Sequence, residues 1–375
     1  MALSAPKTQP LLKVHVLCTG IRYGKGESIF YEHFKNAWVQ TPAQLPIIGD
    51  GKNLIPTIHI VDLARVVKKI IDNNIKKDYI FAVDKTKRPS QKRLVKSISN
   101  GIGTGKWKNF ESKEISNSII WKDFLMVNLK MKSSDVFRDL EWKGEEEPSE
   151  EDQAKLKFPW HCEKGVVDNA KSLNVEFNEA RDLQPVKIFI TGPPASGKSY
   201  YSEMVQNYYN IPKVQVKELT DKALAIGKVE PDEEKIKDEN ELNLAKEIFE
   251  KLGAIRDELH EKLTAAQEEK EWGEEGPPEI DKDSLDIRVP DDIIYKLISN
   301  RLRENDCRNR GYILDGYPRS YEDCQNIFLK KPIKYDEDGN VVDEDEPELE
   351  EGQKKSFEGY LEIEEIFPKS AIVLK

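Results

Sequence analysis

The sequence is poor in the residues that build redox or local metal sites. Four cysteines, Cys18, Cys162, Cys307 and Cys324, are scattered over 375 residues without a Cys-x-x-Cys pair. That argues against a disulfide framework and for free thiols in a reducing compartment. Five histidines, His15, His33, His59, His161 and His260, share no ligand spacing, so a structural zinc is not expected. No apolar run approaches the ~18 residues a membrane span needs. Lys13 and His15 interrupt the only early apolar stretch, so neither a signal peptide nor a membrane segment is expected. Positive charge is also short: 58 Lys and Arg stand against 69 Asp and Glu, a net charge of -11. Nucleic acid as the main partner demands a basic surface. The expectation is a cytosolic protein that binds neither nucleic acid nor membrane.

What is abundant is charge, 34% of residues against 38% hydrophobic. The length allows two or three domains with at least one well-buried core. Strand-like segments at 13–17 and 79–83 alternate with helix-like segments at 28–39, 58–71 and 93–99, an α/β pattern. A charged, proline-containing stretch at 144–157 breaks it. The expected organisation is a first α/β domain over 1–143, a linker and connecting segment over 144–184, and a second α/β domain over 185–375.

In the second domain, residues 186–191 read as a strand and 198–209 as a helix. A charged insertion follows at about 213–289. Within it Leu242, Ala245, Phe249, Leu252, Ile255, Leu259 and Leu263 mark one amphipathic helix. An acidic loop is expected at 334–352. It is no EF-hand, because the sixth residue from Asp336 is Val341 where that loop requires glycine. Residues 357–366 read as a helix and 370–374 as a strand.

Two motifs carry chemistry. Gly192-Pro193-Pro194-Ala195-Ser196-Gly197-Lys198-Ser199 satisfies Gly-x-x-x-x-Gly-Lys-Ser between a strand and a helix. Backbone N–H groups of such a loop curl around phosphate oxygens, and the helix turns its positive end to the same anion. Lys198 supplies a mobile positive charge and Ser199 a hydroxyl for Mg²⁺. Gly101-Ile102-Gly103-Thr104-Gly105-Lys106 lacks that spacing and has Trp107 in the hydroxyl position, so a flexible loop is expected there. The second motif is Leu314-Asp315-Gly316-Tyr317-Pro318-Arg319, at the end of a strand over 312–314. Asp315 can hold Mg²⁺ through water, and Arg319 can clamp a phosphate with its planar fork. Val289-Pro290-Asp291-Asp292 starts a further helix, with proline and acidic residues suited to its first turn.

These three segments, in this order, resemble the adenylate kinase family of nucleoside monophosphate kinases over about 186–375. The first region resembles the later half of an extended short-chain dehydrogenase of epimerase type. It does so through Arg22-Tyr23-Gly24 and Ile58-His59-Ile60-Val61-Asp62-Leu63-Ala64. The implied fold is a partial Rossmann-like domain followed by a P-loop kinase core with a parallel sheet. The implied reaction transfers the γ-phosphoryl of ATP to AMP, giving two ADP, with ATP and Mg²⁺ as cofactors. By carry-over Gly192, Ala195, Ser196, Gly197, Lys198, Ser199 and Tyr200 would hold ATP. Ile287, Arg288, Val289, Gly316, Tyr317, Pro318 and Arg319 would meet AMP. Lys198, Arg319 and Asp315 would be catalytic, with Ser199 and Asp315 on the metal. A dehydrogenase-like region ahead of a kinase is the arrangement of a ciliary branch of the family. It implies a cilium or flagellum axoneme as location, with protein partners there.

The sequence departs from the family in several places. Without gaps, Val216 takes the place of a threonine and Asp221 that of an arginine that bind AMP, unless Lys217 or Lys222 substitutes. Asp323 stands where the family has glutamine, with Gln325 nearby, and Tyr200 where it has threonine. Residue 375 precedes any arginine-bearing lid, so the chain is expected to bind ATP and to transfer phosphate poorly. No dinucleotide fingerprint lies ahead of Lys13, so an active dehydrogenase is not expected. Both ends look cut, as in a fragment or short isoform. The competing expectation is a catalytically impaired nucleotide-binding module of a ciliary or axonemal assembly, favoured by the acidic insertions, the amphipathic helix and Asp221.

Overall fold

The computed structural model describes residues 9, 11–73, 75–116, 120–137, 157–234, 236, 238–268, 280–332, 334–335, 341–342 and 359–375. The chain divides into two compact units, Met1–Gln184 and Pro185–Lys375.

In the first unit the strands are β1 (Val16–Thr19), β2 (Ile21–Tyr23), β3 (Gln44–Ile48), β4 (Thr57–His59), β5 (Tyr79–Ala82) and β6 (Lys106–Phe110). Its helices are α1 (Tyr31–Val39), α2 (Ile60–Asp72), α3 (Gln91–Ile102), α4 (Ile120–Leu125) and α5 (Gly165–Glu179). β1 pairs with β5, β2 with β4 and β3 with β6, each in parallel. Parallel partners need a crossover, and α1 to α3 lie in those connections.

The helices form where apolar residues recur at helical spacing. In α3, Leu94, Val95, Ile98 and Ile102 are all buried, each worth about 1.5–3 kcal/mol of transfer free energy. Ser90 caps this helix by accepting from the Arg93 amide. In α2 the buried stripe is Val66 and Ile70, with Leu63 packed beside it.

Three expectations for this unit change. The apolar run at 58–71 is a strand and then a helix, because Ile58 is buried in the β2–β4 ladder before His59 caps α2. The glycine-rich segment at 101–106 is ordered: Gly101 and Ile102 close α3, and Lys106 begins β6. Residues 157–184, expected as connecting segment, are part of this unit's packing. Phe158 joins the core around Val66, the Trp160 ring stacks on Phe137 at 4.7 Å, and α5 buries Val166, Leu173 and Phe177. The rest of the expected linker, 144–156, lies outside the described residues.

In the second unit the elements run β7 (Val186–Thr191), α6 (Lys198–Tyr209), β8 (Lys213–Val214), α7 (Val216–Ile226), α8 (Glu239–Glu268), α9 (Asp291–Arg303), α10 (Asn305–Arg310), β9 (Gly311–Asp315) and α11 (Tyr321–Phe328). Then come β10 (Leu329–Lys330), β11 (Lys334–Tyr335), β12 (Val341–Val342), β13 (Leu361–Glu362) and β14 (Ser370–Val373). The main sheet has the order β14-β7-β9-β8, parallel throughout. The architecture is therefore α/β with parallel strands in both units. Among the described residues no helix is long and apolar enough to cross a membrane.

The insertion leaves the sheet only after β8. Helix α8 exists as expected, with its seam shifted: Ala245, Ile248 and Leu252 are the buried positions, and Leu263 is 38% exposed. It packs on α7, where a Cβ at Gly227 would meet Leu252 Cδ1 at 2.8 Å, and Arg256 donates to the Gly227 carbonyl.

Of the expected acidic loop at 334–352, β11 and β12 form an antiparallel pair; residues 336–340 and 343–352 lie outside the described residues. The helix expected at 357–366 is not formed over 359–366, while 357–358 lie outside the described residues. β13 pairs there with β10 instead. The carbonyls of Glu364 and Glu365 accept from Lys187 Nζ, and that of Ile366 from the Tyr312 hydroxyl, so sheet residues take the groups a helix would have used.

Candidate nucleotide site

The loop of the first motif connects β7 to α6, at the carboxyl end of the central strands, where open α/β sheets bind ligands. Gly197 caps α6, and Lys198, Ser199 and Tyr200 form its first turn. Lys198 folds back over the loop, donating from Nζ to the carbonyls of Gly192 at 2.8 Å and Pro193 at 2.7 Å. Ala195 holds a left-handed backbone at φ 63°. Ser196 Oγ is buried and has no partner among the described residues. A buried hydroxyl normally has a hydrogen-bond partner, and a phosphate oxygen is a group that can serve as one.

The second motif closes on the first. β9 pairs with β7 in parallel, and the Gly316 amide donates to the Ile190 carbonyl at 3.0 Å, holding the turn against the P-loop strand. Gly316 has φ 69°, and a Cβ there would stand 3.4 Å from Lys198 Cε. The turn thus favours glycine for its left-handed backbone and lies near the P-loop lysine. Asp315 accepts from Gln215 Nε2 at 2.7 Å. Gln215 was not singled out from the sequence, since only the placement of β8 beside β9 brings it near Asp315.

Past the turn, Tyr317 and Pro318 are buried while Arg319 is exposed. Asp323 organises this corner, accepting from the Arg319 amide at 2.9 Å, the Ser320 amide at 3.0 Å and the Tyr295 hydroxyl at 2.9 Å. Partial burial would raise the Asp323 carboxyl, but these donors hold it below its ordinary value. Burial and the Asp323 charge push the Tyr317 phenol up, so it stays neutral. With Ser320 accepting from the Asp323 amide, the pair forms a capping box on α11. The residue in the family's glutamine place therefore serves the backbone.

Ile287 and Val289 are buried in the same hydrophobic cluster as Tyr317. Arg288 does not join them; it is exposed and paired with Asp291 at 3.2 Å. The Tyr200 ring is 65% exposed and edges against Tyr201. Lys217, Asp221 and Lys222 are exposed on α7.

The second unit is thus a P-loop α/β domain with a second polar corner beside the loop lysine. No protein-family model matches the chain. Against curated proteins it is 31% identical to adenylate kinase 7 of Macaca fascicularis over 322 residues, 84% of this chain and 54% of that protein. It is 29% identical to adenylate kinase 7 of Mus musculus over 335 residues, 88% of this chain and 49% of that protein. The chain spans about half the length of these relatives. It resembles the adenylate kinase family, and adenylate kinase 7 over most of its own length. Among solved structures it aligns with the UDP-N-acetylglucosamine 4-epimerase from Bacillus cereus at 10% identity and TM-score 0.31, covering 46% of this chain and 49% of that one, a likeness too distant to carry weight.

Proposed function

We propose that this chain carries a nucleoside monophosphate kinase site that transfers the γ-phosphoryl of ATP to AMP, giving two ADP. The observation that supports the reading is the parallel pairing of β9 with β7, with the Gly316 amide on the Ile190 carbonyl, so that the turn before Arg319 follows the strand next to the one that leads into the phosphate loop. An AMP phosphate is already an anionic nucleophile, so the site needs no general base. Its work is positioning and charge stabilisation.

The loop's own features fit a nucleotide phosphate. Lys198 Nζ is held by two carbonyls that phosphate oxygens can replace, and Ser196 Oγ is buried with an open acceptor and donor. Ser199 and Asp315 would hold Mg²⁺, which supplies charge neutralisation between the transferring phosphates. Gln215 fixes the rotamer of Asp315, leaving its other carboxylate oxygen for a metal-bound water. Arg319, exposed and without a side-chain partner among the described residues, would meet the monophosphate. The backbone at 287–289 would flank the adenine.

A second reading, a nucleotide-binding module in a ciliary or axonemal assembly, draws support from Asp221. It puts a negative charge at the place of a family arginine and is exposed on α7. Transfer of labelled γ-phosphate from ATP to AMP, GMP, CMP and UMP separates the two. The kinase reading expects transfer with AMP preferred at least about tenfold, the scale of one net hydrogen bond of about 1.4 kcal/mol. ATP binding without transfer to any monophosphate supports the module instead.

A further inference from the structure

His59 lies 117 residues before Glu176 and His161 only 15 before it; the three meet in the first unit, with their ligand atoms all within 4.8 Å of one another. We propose that they form a binding site for a divalent transition-metal ion, zinc by preference. Two imidazoles and one carboxylate are a donor set that suits zinc, and three protein ligands leave one position for water.

The cluster is held in place before any ion arrives. Glu176, on α5, sets Oε2 3.1 Å from His59 Nε2 and Oε1 2.5 Å from His161 Nε2, and the two rings lie 4.4 Å apart. Buried Asp62, in the first turn of α2, accepts from the backbone amides of His161 at 2.6 Å and Cys162 at 2.9 Å. One carboxylate therefore ties the segment bearing His161 to the helix that His59 caps. The Lys25 amide orients Glu176 through Oε2 at 3.1 Å. Such outer contacts fix the ligands.

A Cβ at Gly24 would fall 1.9 Å from His59 Nε2, so only glycine lets this backbone lie against the ring. Glu27 Oε2 is a buried carboxylate oxygen without a hydrogen-bond partner among the described residues, and its Oε1 accepts from the Gly24 amide. The His59 side chain is fully buried and that of Glu176 nearly so, while that of His161 is 34% exposed, which gives an ion a route from solvent. His59 Nδ1 accepts from the Val61 amide at 3.2 Å, so the free ring carries its proton on Nε2. Coordination moves that proton to Nδ1 and gives up the cap bond. Zinc therefore binds less tightly than at a site with an unopposed ring, and amide exchange at Val61 speeds up when it does.

The full chain, stripped with a chelator, is titrated with Zn²⁺ in excess Mg²⁺, and bound metal is measured by calorimetry and elemental analysis. The expected result is one zinc per chain, a melting temperature raised by zinc, and affinity lowered at least about tenfold in His161→Ala and in Glu176→Gln. His161 is partly exposed, so its replacement tests the site with least disturbance to folding. Cobalt in the unaltered chain gives a reading that needs no variant: intense visible bands mark nitrogen coordination at low coordination number. Zinc uptake equal in wild type and His161→Ala, no uptake by wild type, or a cobalt spectrum like that of the aqueous ion overturns the proposal.

Discussion

Gln215 and Asp315 are joined by a hydrogen bond of 2.7 Å, Nε2 donating to Oδ2, across 100 residues of sequence. The bond links the edge strand β8 to the end of β9 and fixes the carboxylate beside the phosphate loop. A hydrogen bond to a charged group is worth about 1.5–3 kcal/mol.

Gln215→Ala is therefore expected to leave the fold intact and to free Asp315 to rotate. The Mg²⁺ concentration at half-maximal rate should rise several-fold with little change in ATP affinity at saturating Mg²⁺. A Mg²⁺ titration of the transfer rate checks this; an unchanged midpoint would remove Asp315 from the metal.

Asp323 holds three donors at the corner carrying Arg319. Asp323→Ala should cost about 1–2 kcal/mol through loss of the cap and loosen the Arg319 backbone. The KM for the monophosphate should rise more than that for ATP. Equal rises in both would mean a general loss of stability, measured in parallel by thermal unfolding.

His33 gives a pH signature. It is fully buried against the Trp121 ring at 4.8 Å, and burial holds its pKa down from 6.5 to about 4. Between those values the unfolded chain binds the proton and the folded chain does not. Stability is therefore lost as pH falls from 6.5 toward 4, on the order of 2–3 kcal/mol. Asp84 works the other way: burial raises its carboxyl from 3.8 to about 6, so its contribution falls as pH rises through that window. Urea unfolding of wild type against His33→Leu isolates the first effect. The variant should lose less stability on acidification, and parallel curves for the two proteins would contradict the assignment.

The sequence made the candidate nucleotide site legible where its motifs are local. The P-loop and the Leu314–Arg319 segment are contiguous motifs, each bounded by a strand whose burial shows in its composition. Gln215 could not be found that way, because its role depends on β8 lying in register with β9. The same holds for the His59–Glu176 pair, 117 residues apart, and for His161, 15 residues before Glu176. Short strands such as β2 and β4 were hidden because three residues are too few to show a period. The segment at 359–366 has an apolar pattern that suits a helix, but its backbone is claimed by Lys187, Tyr312 and β10. Tertiary partners override local preference there.

The proposed phosphoryl-transfer site joins the P-loop to the Gly316–Arg319 corner. Phosphorus NMR of the full chain with Mg²⁺, ATP and AMP, beside its Lys198→Ala variant, tests it most directly. ADP resonances are expected to grow from ATP and AMP together in the wild type and to vanish in the variant, which lacks the positive charge proposed to meet the transferring group. No ADP from the wild type while ATP remains bound, or equal ADP from both proteins, would contradict it.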